Sequence, residues 1–182
     1  LPKWVEKFNK KKLCQKYLSQ EWDLLLSSKN YDESLVDNSV YEAPFNGEKY
    51  PKFPHDLPAL VEQNGMGLIK TTPFGNSLTK DMAIAAIEGE SLGKDDFTDI
   101  LTLSFSSTDY IGHQFGADSR ETQDAYLRLD KDLEEFLFYI DTNIGKENVL
   151  VFLTSDHGAV RTPSYLMDRN IPAGYFDAEE PI

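Results

Sequence analysis

Two short apolar runs with one long amphipathic helix between them constrain this chain more than anything else in it. Residues 99–105 read DILTLSF and residues 149–154 read VLVFLT, both continuous in hydrophobicity and rich in β-formers. Predominantly apolar runs of this length suit buried strands. Between them, residues 119–143 place Tyr126, Leu129, Leu133, Phe136, Leu137 and Ile140 at steps of three and four, the stripe of a helix facing a core. Asp118 and Glu121 have capping-box spacing before that helix, and Gly145 stands at its end. Strand, helix, strand implies a βαβ unit with two parallel strands and a right-handed crossover. The expected fold class is therefore α/β, a mostly parallel sheet with helices packed on it.

The rest of the chain is organised around that unit. Residues 78–89 are helix formers, with Asn76 or Ser77 standing as N-cap and Gly89 near the stop. Residues 27–76 are punctuated by Pro44, Pro51, Pro54, Pro58 and Pro73 and read as loop-rich. At the start, Trp4, Phe8, Leu13 and Tyr17 recur near helical spacing. The lysines among them (Lys3, Lys7, Lys10, Lys11, Lys12 and Lys16) then form a wet helical face rather than a polyanion grip. This gives two regions: 1–76, a helix plus a loop-rich subsidiary part, and 77–182, a partial α/β core.

Composition narrows the function classes. Hydrophobic residues at 40% and aromatics at 12% supply a core and exclude global disorder. A formal charge of −13 disfavours a broad surface for gripping a nucleic-acid backbone. No apolar run approaches the roughly 18–20 residues that span a bilayer. A single cysteine, Cys14, excludes an internal disulfide framework.

Ligands of open α/β sheets bind beyond the carboxyl ends of the strands. The first run is followed by Ser106-Ser107-Thr108-Asp109-Tyr110-Ile111-Gly112-His113, the second by Ser155-Asp156-His157-Gly158. Each end delivers one carboxylate and one imidazole, and two of the three histidines in the chain are here. Carboxylate oxygen and imidazole nitrogen are ordinary zinc ligands. Asp109 and His113, four apart, share one helical face. Asp156 and His157 are neighbours in a loop, where Gly158 leaves room for a turn. The contiguous Ser155, Asp156 and His157 do not make a hydrolase triad, whose members must converge from separate places, and no Gly-x-Ser-x-Gly elbow occurs.

The segments FSSTDYIGHQFG, YLRLDKDLEEFLFYID and VLVFLTSDHGA resemble the alkaline phosphatase superfamily. They are most similar to the bacterial alkaline phosphatases related to type I phosphodiesterases and nucleotide pyrophosphatases. TTPFGNSLTKDMAIAAIEGESLG and PSYLMDRNIPAGYF also look like that branch. The likeness runs from about residue 71 to 175.

The resemblance implies a two-zinc phosphoric ester hydrolase, with Asp109 and His113 on one zinc and Asp156 and His157 on the other. It implies a Thr or Ser nucleophile that forms a phospho-enzyme, and export to the periplasm or cell surface. The family's nucleophile and its remaining ligands have no counterpart at matching positions here. His55, in Phe53-Pro54-His55-Asp56, reads as a loop residue on the wrong side of the motif. The expectation is then a phosphatase fragment, probed by phosphate-ester substrates and inactive alone, whose catalytic nucleophile lies outside the chain. A phosphodiesterase or nucleotide pyrophosphatase of the same superfamily, or a non-catalytic metal-binding domain of the same fold, are the alternatives.

Overall fold

The computed structural model of the protein describes residues 1–175, so the terminal Glu179-Glu180 and Pro181-Ile182 lie outside the described residues. The regular structure among them is helical. Helix α1 (Lys3–Lys10) and α2 (Leu13–Tyr17) are separated at Lys12, whose φ of 52° breaks the expected single N-terminal helix. Phe8 is buried and Trp4 lies against Gly89, while the lysines of α1 face solvent as expected. Helix α3 (Leu57–Asn64) follows, inside the segment read as loop-rich. Its signal is local: the Asp56 side chain caps the Ala59 N–H at 3.1 Å, and Pro58 occupies the first turn, where a missing N–H costs nothing.

Helix α4 (Phe74–Glu90) begins before Asn76 and Ser77, so neither caps it, and ends on Ser91 in the left-handed region at φ 57°. Helix α5 (Ser107–Phe115) carries the first Asp/His pair. Helix α6 (Arg120–Asn143) is capped by Ser119, which accepts from the Thr122 N–H at 3.1 Å. The capping box expected from Asp118 and Glu121 is not formed, because Glu121 is fully buried and turned toward His55. Helix α7 (Pro163–Met167) closes the described part.

One core joins residues from both sides of position 76. Trp22, Phe45, Phe53 and Leu57 pack with Ile111 and Phe115 of α5. A second cluster joins Ala83 and Ile87 of α4 to Phe136 and Ile140 of α6. Of the stripe expected on α6, Phe136 and Ile140 are buried, whereas Tyr126 and Leu137 are exposed.

The sheet is the main correction to the α/β expectation. Neither 99–105 nor 149–154 forms a strand, and the β pairing among the described residues is one isolated bridge between Trp22 and His55. Ile100 is 84% exposed and Phe152 84%. An extended segment becomes a strand only when another backbone takes its N–H and C=O groups. The described residues bring no such backbone alongside either run, and parallel strands joined by a helix need not be immediate neighbours in a sheet.

His55 also departs from expectation: it is a core residue with no solvent exposure, ringed by Trp22, Phe45, Phe53 and Phe115. Its Nδ1 lies 2.7 Å from Glu48 and its Nε2 3.3 Å from Glu121. Burial pushes this imidazole down, but the neighbouring Glu121 and Glu48 carboxylates outweigh it and hold it up at about 9. Glu42, pushed up by burial and then by the Glu121 carboxylate, stands at about 8. Burial also raises Glu121 itself, with His55 pulling it back.

His55 and Glu42 hold protons in the folded state over a pH range in which the unfolded chain has released them. Their contribution is complete below their unfolded pKa values and is lost as pH rises through the folded ones, about 8 for Glu42 and 9 for His55. Stability should therefore fall between pH 6 and pH 9.5, by on the order of 3 kcal/mol from His55. Urea unfolding at the two pH values checks this, and equal or greater stability at pH 9.5 contradicts it.

Candidate metal centre

Helix α5 is held by its apolar face. Ile111 and Phe115 are buried in the core, which turns Asp109 and His113 outward. At its far end Gln114 Nε2 donates to the carbonyls of Ala43 and Pro44, at 2.9 and 3.0 Å. Gly116, at φ +98°, ends the helix and donates its N–H to Gly112 O. The four-residue spacing brings Asp109 Oδ1 to 3.5 Å from His113 Nε2.

The second pair comes from an irregular, exposed segment. The His157 N–H donates to Asp156 Oδ1 at 3.1 Å, and the Ser155 hydroxyl donates to the His157 carbonyl. The segment is tied back to the turn before α6 by Arg161, which pairs with Asp118 at 3.0 Å. His157 Nε2 lies 3.6 Å from Asp156 Oδ2 and 3.8 Å from Asp109 Oδ1. His157 Nδ1 is 3.1 Å from Gly158 O. That carbonyl, followed by the Asp156 and Asp109 carboxylates, raises the His157 pKa.

The structure thus brings together the residues singled out in sequence. Asp109 meets His113 on its own helix and His157 from 48 positions further along. The three N···O separations exceed hydrogen-bonding distance. Within the pairs, 3.5 Å for Asp109–His113 and 3.6 Å for Asp156–His157 are close to the roughly 3.4 Å between two donors on a tetrahedral ion with bonds of about 2.0–2.2 Å. Two carboxylates and two imidazoles also match zinc in chemistry. The donors nevertheless come in pairs: among the described residues no group of three or more His, Cys, Asp or Glu side chains is arranged to hold a metal ion.

The family model for type I phosphodiesterase / nucleotide pyrophosphatase matches residues 7–179. The chain belongs to this family, within the alkaline phosphatase superfamily. Family members with high similarity are alkaline phosphatase PafA of Elizabethkingia meningoseptica and alkaline phosphatase PhoV of Synechococcus elongatus. They are 46% identical over 97% of this chain and 47% over 96% of it. A protein of Myroides odoratus that carries the name calcium-transporting ATPase is 50% identical over 98% of the chain. The crystal structure of wild-type PafA superposes with a TM-score of 0.92 at 46% identity, covering 97% of this chain. The described residues are therefore folded like the part of an alkaline phosphatase that they match, and the chain covers 34% of that crystallised chain. The chain spans about a third of the length of these relatives, 33%, 32% and 31% in the order Myroides, PafA and PhoV.

One contact beside these residues escapes a reading of the sequence. Asn76, placed by its neighbours as a cap for its own helix, instead bonds the first residues of α5. No local pattern around Asn76 points to a helix 31 residues away.

Proposed function

We propose that this chain is the part of a zinc-dependent phosphatase that carries Asp109 and His113 for one ion and Asp156 and His157 for the other. The observation that carries the proposal is the approach of His157 to Asp109, which joins the two pairs at one place. The Asp109 and Asp156 carboxylates supply negative charge for the cations. With the Gly158 carbonyl accepting from Nδ1, the neutral His157 ring leaves its Nε2 lone pair free on the side of Asp109. When bound, two zinc ions polarise phosphoryl oxygens, activate a nucleophile and stabilise the leaving oxygen.

The nucleophile, a Thr or Ser that forms a phospho-enzyme, and the remaining ligands lie in this proposal outside the 182 residues. Coverage of a third of the relatives supports this, as do the exposed apolar runs at 99–105 and 149–154. Those runs become strands against backbone from elsewhere in the polypeptide. The substrate is a phosphate ester, and the site of action is the periplasm or cell surface. No helix among the described residues is long and apolar enough to cross a membrane.

A polypeptide of the relatives' full length, loaded with zinc, is expected to hydrolyse p-nitrophenyl phosphate or its bis-ester at alkaline pH. The 182-residue chain alone is expected to be inactive. If the zinc-loaded long form turns over neither ester, the enzyme reading is wrong.

A further inference from the structure

Helix α5 has no cap of its own. Its N-cap residue, Ser106, makes no side-chain bond to the helix, although the first N–H groups of any helix need partners. The partner comes from α4. Asn76, 1% exposed, accepts from the Ser107 N–H through Oδ1 at 3.2 Å and donates from Nδ2 to Thr108 Oγ1 at 3.1 Å. Both acceptor and donor of one amide are thereby spent on the two residues that precede Asp109. The neighbouring glycine shows how close the helices lie. A Cβ on Gly75 would stand 2.1 Å from Ser107 Oγ and 2.7 Å from the Ile69 carbonyl, so only glycine lets α4 approach α5 this way.

We infer that Asn76 is a positioning residue for Asp109: bonded to Ser107 and Thr108, it fixes the first turn of α5 and with it the direction in which the Asp109 carboxylate points. The inference rests on the reading of Asp109 as a metal ligand. A ligand whose backbone can shift by a fraction of an ångström loses the preorganisation that metal affinity depends on, and outer-shell partners typically contribute about 10–100-fold. Asn76 differs from an ordinary buried amide in that its two bonds converge on the base of one candidate ligand.

The test measures zinc affinity by competition with a fluorescent chelator in the polypeptide of the relatives' full length. Asn76→Leu keeps the length of the side chain and removes both bonds, and it should weaken zinc binding about tenfold or more. Asn76→Asp keeps an acceptor for the Ser107 N–H and offers a second oxygen to the Thr108 hydroxyl, so it should return affinity to within about threefold of the parent. Ser77→Ala serves as the control, because it removes a bond of similar size to Asp132 on α6 without touching α5; its zinc affinity should be unchanged.

Should Asn76→Leu fail to fold, Thr108→Val breaks one of the two bonds from the other side and should weaken binding about threefold. Unchanged affinity in folded Asn76→Leu, or in Thr108→Val, overturns the inference, as does an Asn76→Asp variant as impaired as the leucine. Asp109→Ala in the same assay separates the two levels. Unchanged affinity there removes Asp109 from the ligand set and the inference with it, whereas a loss in Asp109→Ala with none at Asn76 defeats the inference alone.

Discussion

Replacing Asp156 by asparagine is expected to lower zinc occupancy and phosphatase activity together, by about 100-fold or more in activity, in a polypeptide of the relatives' full length. The substitution keeps shape and removes charge. Asp156 Oδ2 lies 3.6 Å from His157 Nε2 with its carboxylate in solvent, so it makes no packing contribution that the change would disturb. What is lost is an anionic ligand, and the loss of an outer-shell partner already costs about 10–100-fold. Metal analysis and p-nitrophenyl phosphate turnover on the same sample read both effects. Normal zinc content in the variant removes Asp156 from the ligand set.

The largest effect on stability is expected at Asp124. This α6 side chain is fully buried and accepts from Trp22 Nε1 at 2.7 Å, the Leu25 N–H at 2.8 Å, the Tyr31 hydroxyl at 2.5 Å and Arg128 Nε at 2.6 Å. It bonds the N-terminal loop at three places, Trp22, Leu25 and Tyr31. Asp124→Ala strands buried donors and deprives Arg128 of its charge partner. Removing one member of such an arrangement costs about 3–5 kcal/mol, a large share of the roughly 5–15 kcal/mol that holds a domain together. Urea unfolding at constant pH checks it, and a loss below about 1 kcal/mol would show that the loop is held by its aromatic packing alone.

How much of this was legible in the sequence depends on how local the cause is. Helix α6 lies where its apolar periodicity places it, but its cap is Ser119 rather than the Asp118 expected from the capping-box spacing. Helix α4 was readable from its helix formers, and its start was not, because Asn76 answers to α5 rather than to its own N-terminus. Helix α3 was missed although Asp56 and Pro58 spell out its first turn, since prolines on every side made the whole stretch look like loop. His55 and Glu121 could not be read at all. A buried imidazole between two carboxylates is made by residues 66 apart in sequence, and nothing local distinguishes it from a surface pair.

The candidate site was legible for the opposite reason. Asp109 and His113 are bound by helical spacing, and Asp156 and His157 by adjacency, so each pair carries its geometry in its own segment. The two runs were read as strands from their apolar character, but pairing is a property of two backbones, and among the described residues neither 99–105 nor 149–154 has a paired backbone beside it.

In the function proposed above, this chain brings two half-sites which become metal centres only with donors from the rest of the polypeptide. Calorimetric titration with zinc, on the 182-residue chain beside a polypeptide of the relatives' full length, tests it most directly. Two tight sites are expected in the long form and, in the 182 residues alone, at most one weakly bound ion. Two tight sites in the 182-residue chain would contradict it, because every missing ligand would then have to come from within this sequence.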